Sequence, residues 1–412
     1  MRRNSQMRLR MTGCAMAITA MAGLATPGHA APYTMDEAFR ASLEGVQASL
    51  AQGDTTGAQQ RAQTLIGSAN QPLEKYAAGE LMLQAAAGNG DLRAQRSALN
   101  TILESGQASA SETARLRAIA GTLSAMLGDR KDAIAQIDYA NGQGYSSVAS
   151  QLALADAKFT RNDPVGGEKA LDEAFALRAK EQKPIEASWY DRAIALGYKA
   201  KRPDLVARWT QAKLATYPSA PNWRSGIVNY LNSANTEPDQ SLDLYRLMAA
   251  TDSIASERDW LAYSALAAQK GTAAEAKAAL DTGVSSGNLS ASDPATAKEL
   301  ATLKPKAAKA LAELPGLTAK AKSGNGAAAL TAADAQFAAA AYPAAAELYR
   351  AALSKGGIDA NRATTRLGIA LTRSGDLAGG KTALASVTQG PWATVAGFWS
   401  VWNDRKAIRN PQ

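Results

Sequence analysis

The chain has 412 residues, of which 20% are charged and 6% aromatic, and it holds one cysteine and one histidine. These single copies exclude an internal disulfide and a zinc site built from several Cys and His ligands. The formal net charge of +8 would indicate a nucleic-acid partner only if the basic residues clustered on one face, and four arginines lie within the first ten residues.

Residues 1–30 are typical of a secretory signal peptide. An apolar run from Cys14 to Ala25 follows a positive segment, and Gly28-His29-Ala30 has the small-x-small pattern that signal peptidase requires. Because the run is shorter than the ~20 residues that span a bilayer, a membrane anchor is the weaker interpretation. We expect cleavage after Ala30 and export, to the periplasm of a Gram-negative cell. The positive segment holds Arg2, Arg3, Arg8 and Arg10.

Cleavage at this point would remove both Cys14 and His29. The remaining chain would have neither a thiolate nucleophile nor an imidazole base, and it would carry 41 Lys and Arg against 37 Asp and Glu, a net charge of +4. The sequence therefore predicts a protein that is not an enzyme, with no metal, no cofactor, no nucleic-acid partner and no integral membrane span.

Helical segments of about 12 to 16 residues follow, separated by turns at regular intervals. Gly-Asp pairs such as Gly53-Asp54 and Gly90-Asp91 recur, and a glycine that ends one helix before an aspartate that caps the next is typical of a helix hairpin. The mean spacing of about 36 residues predicts about ten hairpins over residues 34–388. Residues 290–325 have poor periodicity and are expected to be a degenerate repeat or a linker. The predicted cap positions are Asp54, Asp91, Asp129, Asp163, Arg202, Glu237, Thr272, Lys304, Ala341 and Asp376.

The best of these units resemble the tetratricopeptide repeat (TPR). Leu367-Gly368 stands where that family has its Leu-Gly pair, and Tyr342, Ala345, Tyr349 and Ala352 match its aromatic and alanine positions. The resemblance implies an all-α, right-handed solenoid whose concave groove, lined by the first helices of the hairpins, binds proteins or peptides.

Arginines recur on the predicted inner side of these first helices. Two of them, Arg362 and Arg366, match the basic positions with which one chaperone-binding TPR class holds a C-terminal carboxylate, although the companion Lys and Asn positions are not matched. We expect either a groove that pairs with acidic or C-terminal peptide groups or simply solvated arginines. The candidate groove residues are Arg115, Arg192, Arg258, Arg362 and Arg366, with Arg40 at the corresponding place in the first unit.

A phosphate-binding pattern, G-x-x-x-x-G-K-[ST], occurs at residues 375–382. In a nucleotide site, Lys381 and Thr382 would contact phosphate and magnesium at the junction of a strand and a helix. Here Gly375-Asp376 occupies the turn position of a repeat, so the sequence predicts a hairpin turn.

Residues 389–412 are predicted to form a C-terminal helix and tail. Trp392, Val395, Trp399 and Trp402 recur at helical spacing and make one apolar stripe. The stripe indicates a helix that covers the open end of the repeat array. The alternative is an exposed aromatic patch, formed by Trp392, Trp399 and Trp402, for a partner, a dimer or a membrane surface.

The sequence therefore predicts a periplasmic scaffold or adaptor that binds protein or peptide partners of the cell envelope. The alternative is an accessory carbohydrate-binding component of peptidoglycan or exopolysaccharide machinery. Exposed Trp and Tyr in the groove would favour a sugar, whereas exposed Arg and Asn would favour a peptide.

Overall fold

The structure is a computed structural model that describes residues 35–409. The predicted signal peptide lies outside this range. The described chain consists of twenty α-helices, and it divides into two compact units, of which the first ends at Lys183 and the second begins at Pro184. Across the described helices, none combines the length and the apolar character that crossing a membrane requires.

The first unit consists of four helix hairpins in sequence. Each helix packs against the next, and first helices of neighbouring hairpins also touch, as in the α1–α3 and α5–α7 pairs. Its helices are α1 (Glu37–Ala51), α2 (Thr55–Ser68), α3 (Pro72–Gly88), α4 (Leu92–Ser105), α5 (Ala110–Leu127), α6 (Arg130–Gly142), α7 (Val148–Thr160) and α8 (Pro164–Lys180).

The hairpin turns follow the predicted chemistry. Gly53, Gly90 and Gly128 have φ angles of 76°, 68° and 92°, a left-handed conformation that glycine adopts without steric cost. The side chains of Asp54 and Asp91 then accept hydrogen bonds from backbone N–H groups in the first turn of the next helix. The same capping bond recurs at Asp129, Asp163 and Asp376.

Small residues let the paired helices approach closely. A Cβ added to Gly79 would lie 2.7 Å from Ile102 Cγ1, and one added to Gly121 would lie 2.5 Å from Ile137 Cγ1. Leu99, Ile102 and Ile137 are no more than 1% exposed. Each hairpin thus buries its apolar face against its own partner helix and its neighbours.

The second unit begins with three hairpins and ends with two, and an unusually long helix separates these groups. Its helices are α9 (Ala187–Lys199), α10 (Pro203–Thr216), α11 (Ala220–Ser233), α12 (Pro238–Ala250), α13 (Glu257–Gln269), α14 (Ala273–Ser285), α15 (Pro294–Ser323), α16 (Gly326–Ala338), α17 (Tyr342–Lys355), α18 (Ala360–Ser374), α19 (Leu377–Ala385) and α20 (Pro391–Arg409).

The long helix α15 corrects one prediction. Lys304 is not a cap between two helices but an interior residue of a single 30-residue helix, so Pro294–Ser323 forms no hairpin. Pro305 and Pro315 lie inside it, and both are exposed. The carbonyl groups that these prolines leave without an N–H partner are those of Ala301 and Leu311, which lie on exposed residues that water can reach.

The predicted all-α, TPR-like repeat fold is confirmed. Nine hairpins are present within the described residues, and the difference from the expected ten is α15. The other nine predicted cap positions all precede the second helix of a hairpin. The side chains of Arg202, Thr272 and Ala341 make no capping bond to the first-turn N–H groups, whereas Glu237 belongs to a capping box with Gln240.

The C-terminal helix does more than cover the last hairpin. Helix α20 packs against α18 and α19, and it also contacts α10 and α12 near the start of the second unit. Phe398 stacks at a tilt on Tyr230 with ring centroids 5.5 Å apart, and the side-chain amide of Gln211 donates to the carbonyl of Thr394. Helix α20 therefore joins the two ends of the second unit.

Candidate functional site

A buried ion-pair network lies inside the second unit. The Arg366 guanidinium contacts the carboxylates of Asp239, Asp243 and Asp334 at 2.8, 3.0 and 2.9 Å. Its side chain is only 3% exposed. The Tyr349 hydroxyl donates a hydrogen bond to Asp334 at 2.6 Å. Arg366 and the carboxylates around it therefore make most of their hydrogen bonds to groups of the same chain.

A second arginine extends the network. Arg246 is bonded to Asp243 and holds Glu275 through a two-pronged contact at 2.6 and 2.5 Å. Tyr263 also donates to Glu275, at 2.9 Å. Burial alone would raise the pKa of Glu275, but the charge and hydrogen bonds of Arg246 outweigh it and lower that pKa.

The same balance applies to the more accessible Asp239. Burial raises the pKa of this carboxyl group, and the opposing effects of Arg366, Lys270 and Arg362 bring it down to about 2. Helix α20 is attached to this network, because the Trp399 indole N–H donates to the carbonyl of Asp243 at 3.0 Å.

These contacts correct the predicted role of Arg366. Arg366 does not face an open groove, since it is buried and bonded to three carboxylates of its own chain. Arg362 is 22% exposed, and its guanidinium donates to Asp334 at 2.6 Å. Arg366 is therefore not arranged to bind the terminal carboxylate of a partner. The Nε of Arg362 has no acceptor among the described residues, and the binding role of this arginine stays a prediction.

The remaining candidate arginines are not brought into this network. Arg115 belongs to the first unit and is exposed near Glu80, whose pKa is raised mainly by burial. Arg258 is exposed near Tyr245, and Arg192 on α9 is half-buried and makes contacts of its own. Their role in binding stays a prediction.

The aromatic patch is also corrected. Trp392 is 7% exposed and Trp399 is 1% exposed, so both belong to the core of the second unit. The Trp392 indole N–H donates to Asp359 at 3.2 Å. Only Trp402 is half-buried, with Lys406 over its ring at 4.7 Å. The stripe packs α20 onto the repeats instead of offering a flat aromatic surface.

A cavity of about 430 Å³ lies beside the network in the second unit. The cavity is lined by residues of the middle and last hairpins together with Trp399 of α20, and its wall is mainly aromatic and alanine. Arg246 and Glu275 form one side of the cavity and are hydrogen-bonded to each other. The aromatic lining residues are Trp260, Tyr263, Phe337, Tyr342 and Trp399.

Two hydrogen-bond donors of this wall have no acceptor among the described residues. Arg373 is half-buried, its guanidinium lies 4.8 Å from the centre of the Tyr342 ring, and no carboxylate of residues 35–408 is within ion-pair distance of it. The buried indole N–H of Trp260 has no acceptor among the described residues. Asp252, in the turn after α12, adds an exposed acid to the lining. The cavity therefore combines an apolar wall with a stacked guanidinium whose donors are available.

The phosphate-binding pattern lies in a hairpin turn, as expected. Gly375 ends α18 with a φ of 97°, and the Asp376 carboxylate accepts the N–H of Gly379, a backbone donor that a phosphate would need. A Cβ on Gly380 would lie 2.4 Å from Thr372 Oγ1, so this glycine serves helix packing. Lys381 points to solvent, 3.3 Å from Asp404.

Within residues 35–409, no group of three or more His, Cys, Asp and Glu side chains is arranged to hold a metal ion. Asp239, Asp243 and Asp334 do converge, but they converge on the guanidinium of Arg366.

Comparisons with known proteins return structural matches alone. No protein-family model and no curated protein matches the chain. Solved structures that resemble it include the TPR domain of P58(IPK), with 12% identity, a TM-score of 0.24 and 90% of each chain covered. A chain of the Naa15/Naa10 complex bound to HypK-THB has 14% identity and a TM-score of 0.29 over 90% of this chain and 61% of that one. Yeast Tom70 has 9% identity and a TM-score of 0.21 over 91% and 90%.

Sequence reasoning missed Arg373 and the acidic partners of Arg366. A signal for Arg373 was present, because it follows Arg366 by seven residues, or two helical turns, on one face of α18. No such signal marked Asp239 and Asp243, which pair with Arg366 across 127 and 123 residues of sequence.

Proposed function

We propose that the protein is a non-catalytic adaptor of the cell envelope, exported to the periplasm, that binds a carboxylate-bearing segment of a partner protein in the cavity of the second unit. A TPR-like array of hairpins is a scaffold suited to protein–protein interaction. The observation that carries the proposal is Arg373, which stacks on Tyr342 in the aromatic-lined wall and has no carboxylate partner of its own among the described residues.

The chemistry of the wall favours a peptide segment. A guanidinium held against an aromatic ring is pre-organised for a forked contact with a carboxylate. The rim also carries Asp252, so groups of both signs face the cavity. A peptide supplies apolar side chains and charged groups together, and a side chain of that kind fits a cavity of about 430 Å³.

A sugar ring is the competing ligand. It would need an accessible aromatic face, but Trp260 and Tyr263 are only 6% and 8% exposed, and the Arg373 guanidinium lies over Tyr342. The cavity thus favours a charged peptide over a neutral glycan, which becomes an outcome of the test below.

Binding is tested by photo-crosslinking in the native host. A photoreactive amino acid replaces Thr282, an exposed lining residue, and the control places it at Thr331 on α16, which is exposed outside the cavity. We expect a protein adduct from position 282 alone. With the partner purified, Arg373→Ala should weaken binding at least tenfold, because each charge-assisted hydrogen bond contributes ~1.5–3 kcal/mol.

The matched control is Arg350→Ala, which removes an exposed arginine of α17 outside the cavity lining and should leave affinity unchanged. Arg373→Lys should recover only part of the loss, since lysine keeps the charge but not the fork. A glycan adduct, or equal affinities for the Arg373→Ala and Arg350→Ala variants, would refute the peptide-binding proposal.

Export is tested separately. The motivating pattern is the positive segment, the apolar run and Gly28-His29-Ala30. Mass spectrometry of the protein from its host should find a mature terminus at Ala31 in the periplasmic fraction. An intact Met1 or Met7 terminus in the cytosol would contradict export.

A further inference from the structure

The net positive charge of residues 31–412 resides on one helix. Helix α15 carries six lysines and two glutamates, a net charge of +4. Residues 31–412 together hold 41 Lys and Arg against 37 Asp and Glu, which is also +4. The remainder of that part of the chain is therefore neutral, and a single element accounts for the excess.

These lysines are free for an external partner. All six are exposed, and they are Lys298, Lys304, Lys306, Lys309, Lys320 and Lys322. Lys309 lies 3.9 Å from Glu313, the outer limit of an ion pair, and among the described residues the other five have no carboxylate within that distance. Among the described residues, ion pairing within the chain, which occupies Arg366 and Arg246, is thus limited on α15 to the long contact between Lys309 and Glu313.

Five of the six lysines form two rows along the helix. Lys298, Lys309 and Lys320 recur every 11 residues, which is close to three helical turns, so they lie nearly on one line. At a rise of 1.5 Å per residue, this row extends over about 33 Å. Lys304 and Lys322 are 18 residues, or five turns, apart and form a second row roughly 120–160° around the axis.

The face between the two rows carries no charge. It consists of exposed small or apolar residues, namely Ala301, Pro305, Ala308, Ala312 and Pro315. The opposite side of α15 holds the buried Leu303, Ala307 and Ala321, and the helix packs against α14 and α16. An outward face of small apolar residues bordered by lysines, on a helix fixed from behind, is suited to lie flat on the interface of a bilayer.

We propose that the outer face of α15 binds a membrane surface rich in anionic lipid headgroups. The length of the lysine rows matches an extended anionic plane better than a compact ligand. Lysine is a point charge that attracts many headgroups without demanding one geometry, whereas α15 contains no arginine, the residue suited to forked recognition of a single anion. This surface is distinct from the Arg373 cavity and does not depend on the function proposed for it.

The test measures binding of the purified protein to lipid vesicles by flotation. Vesicles of phosphatidylcholine are compared with vesicles containing about 30% phosphatidylglycerol, at NaCl concentrations from about 50 to about 500 mM. We expect binding to the anionic vesicles alone, decreasing with salt. The quadruple variant K298Q/K304Q/K306Q/K320Q should reduce vesicle affinity at least tenfold.

The matched control is K75Q/K131Q/K169Q/K199Q, which removes the same charge from four exposed lysines on other helices. It should change vesicle affinity less than twofold. Equal losses in both variants would show a non-specific effect of net charge and overturn the proposal. So would equal binding to neutral vesicles, or an α15 effect confined to a soluble polyanion such as dextran sulfate.

Discussion

The two units stabilise the same kind of hairpin in different ways. In the first unit, side-chain hydrogen bonds between hairpins join residues that are near in sequence, such as Asp36 and Glu74, which are 38 positions apart. In the second, Arg366 reaches Asp239 across 127 residues, Trp399 reaches Asp243 across 156, and Gln211 reaches Thr394 across 183. All seven tryptophans of the chain also belong to the second unit.

This difference predicts that two arrays of the same kind of hairpin differ in how cooperatively they unfold. The stability of an open array is close to a sum of contacts between neighbours, so its hairpins can open one by one. Where α20 and Arg366 join distant hairpins, local opening must break non-local contacts, and we expect the second unit to unfold as one body. Tryptophan fluorescence reports on the second unit alone, and far-UV circular dichroism reports on both.

The largest expected effect is that of Arg366→Ala. Removing this guanidinium leaves Asp239, Asp243 and Asp334 buried or half-buried without their shared cation. Breaking a buried ion pair in this way costs about 3–5 kcal/mol. Urea unfolding followed by tryptophan fluorescence should therefore shift to a markedly lower midpoint, and partner binding in the cavity should weaken with it.

The control for this comparison is Arg96→Ala in the first unit. Arg96 pairs with Asp132 at 2.7 Å, with both side chains partly exposed at 14% and 29%. Its loss should leave the fluorescence transition in place. If Arg366→Ala moves that transition no more than Arg96→Ala does, the network does not hold the second unit together.

Acid should remove part of the same stabilisation. The pKa of Asp239 is held at about 2, and those of Asp334 and Glu275 are also lowered, because Arg366 and Arg246 outweigh the effect of burial. A carboxyl group whose pKa is lower in the folded state stabilises that state above its unfolded value near 4, and this stabilisation is lost as the pH falls toward about 2.

In the first unit, the pKa values of Glu74, Asp91 and Asp132 are lowered while burial raises that of Glu80, so the effects partly cancel. Between pH 4 and pH 2, the urea midpoint measured by tryptophan fluorescence, which reports on the second unit, should fall more steeply than the midpoint of the circular dichroism transition that belongs to the first unit. Parallel decreases of the two signals would contradict this expectation.

A smaller effect tests the packing of neighbouring helices in the first unit. In Gly121→Ala, the new Cβ would lie 2.5 Å from Ile137 Cγ1 and 2.9 Å from the backbone oxygen of Ala133, so the paired helices must move apart. We expect a loss of about 1–3 kcal/mol. Gly67→Ala is the matched control, because its Cβ meets nothing within 4 Å, and it should be neutral or slightly stabilising.

The measurement is urea unfolding by far-UV circular dichroism, with fluorescence recorded on the same samples. Gly121→Ala should move the circular dichroism midpoint and leave the tryptophan signal unchanged. A shift of the fluorescence transition by the same amount would mean that the two units unfold together, and the contrast between them would be lost.

The repeat fold was predictable because its causes are local. Gly53 specifies the turn, and Asp54 caps the next helix through a bond to Gly57, three residues further on. The spacing of such Gly-Asp pairs specifies the length of each hairpin. The network was not predictable, because Arg366 and Asp243 have no neighbouring residues that indicate their pairing. Helix α15 was missed for a local reason: Pro305 usually ends a helix, but its exposed position lets water replace the missing backbone bond.

The smallest expected effect concerns Lys381, the lysine of the phosphate-binding pattern. Its side chain is 69% exposed and lies 3.3 Å from the carboxylate of Asp404, itself 51% exposed. Exposed ion pairs of this kind contribute little, so Lys381→Ala should change the free energy of unfolding by less than about 1 kcal/mol. The Asp376 carboxylate already accepts the N–H of Gly379, and an incoming phosphate would have to displace that carboxylate against charge repulsion. Isothermal titration with magnesium and ATP should give no saturable heat for the wild type or the variant. Saturable binding that disappears in Lys381→Ala would instead make the last hairpin turn of the second unit a nucleotide site.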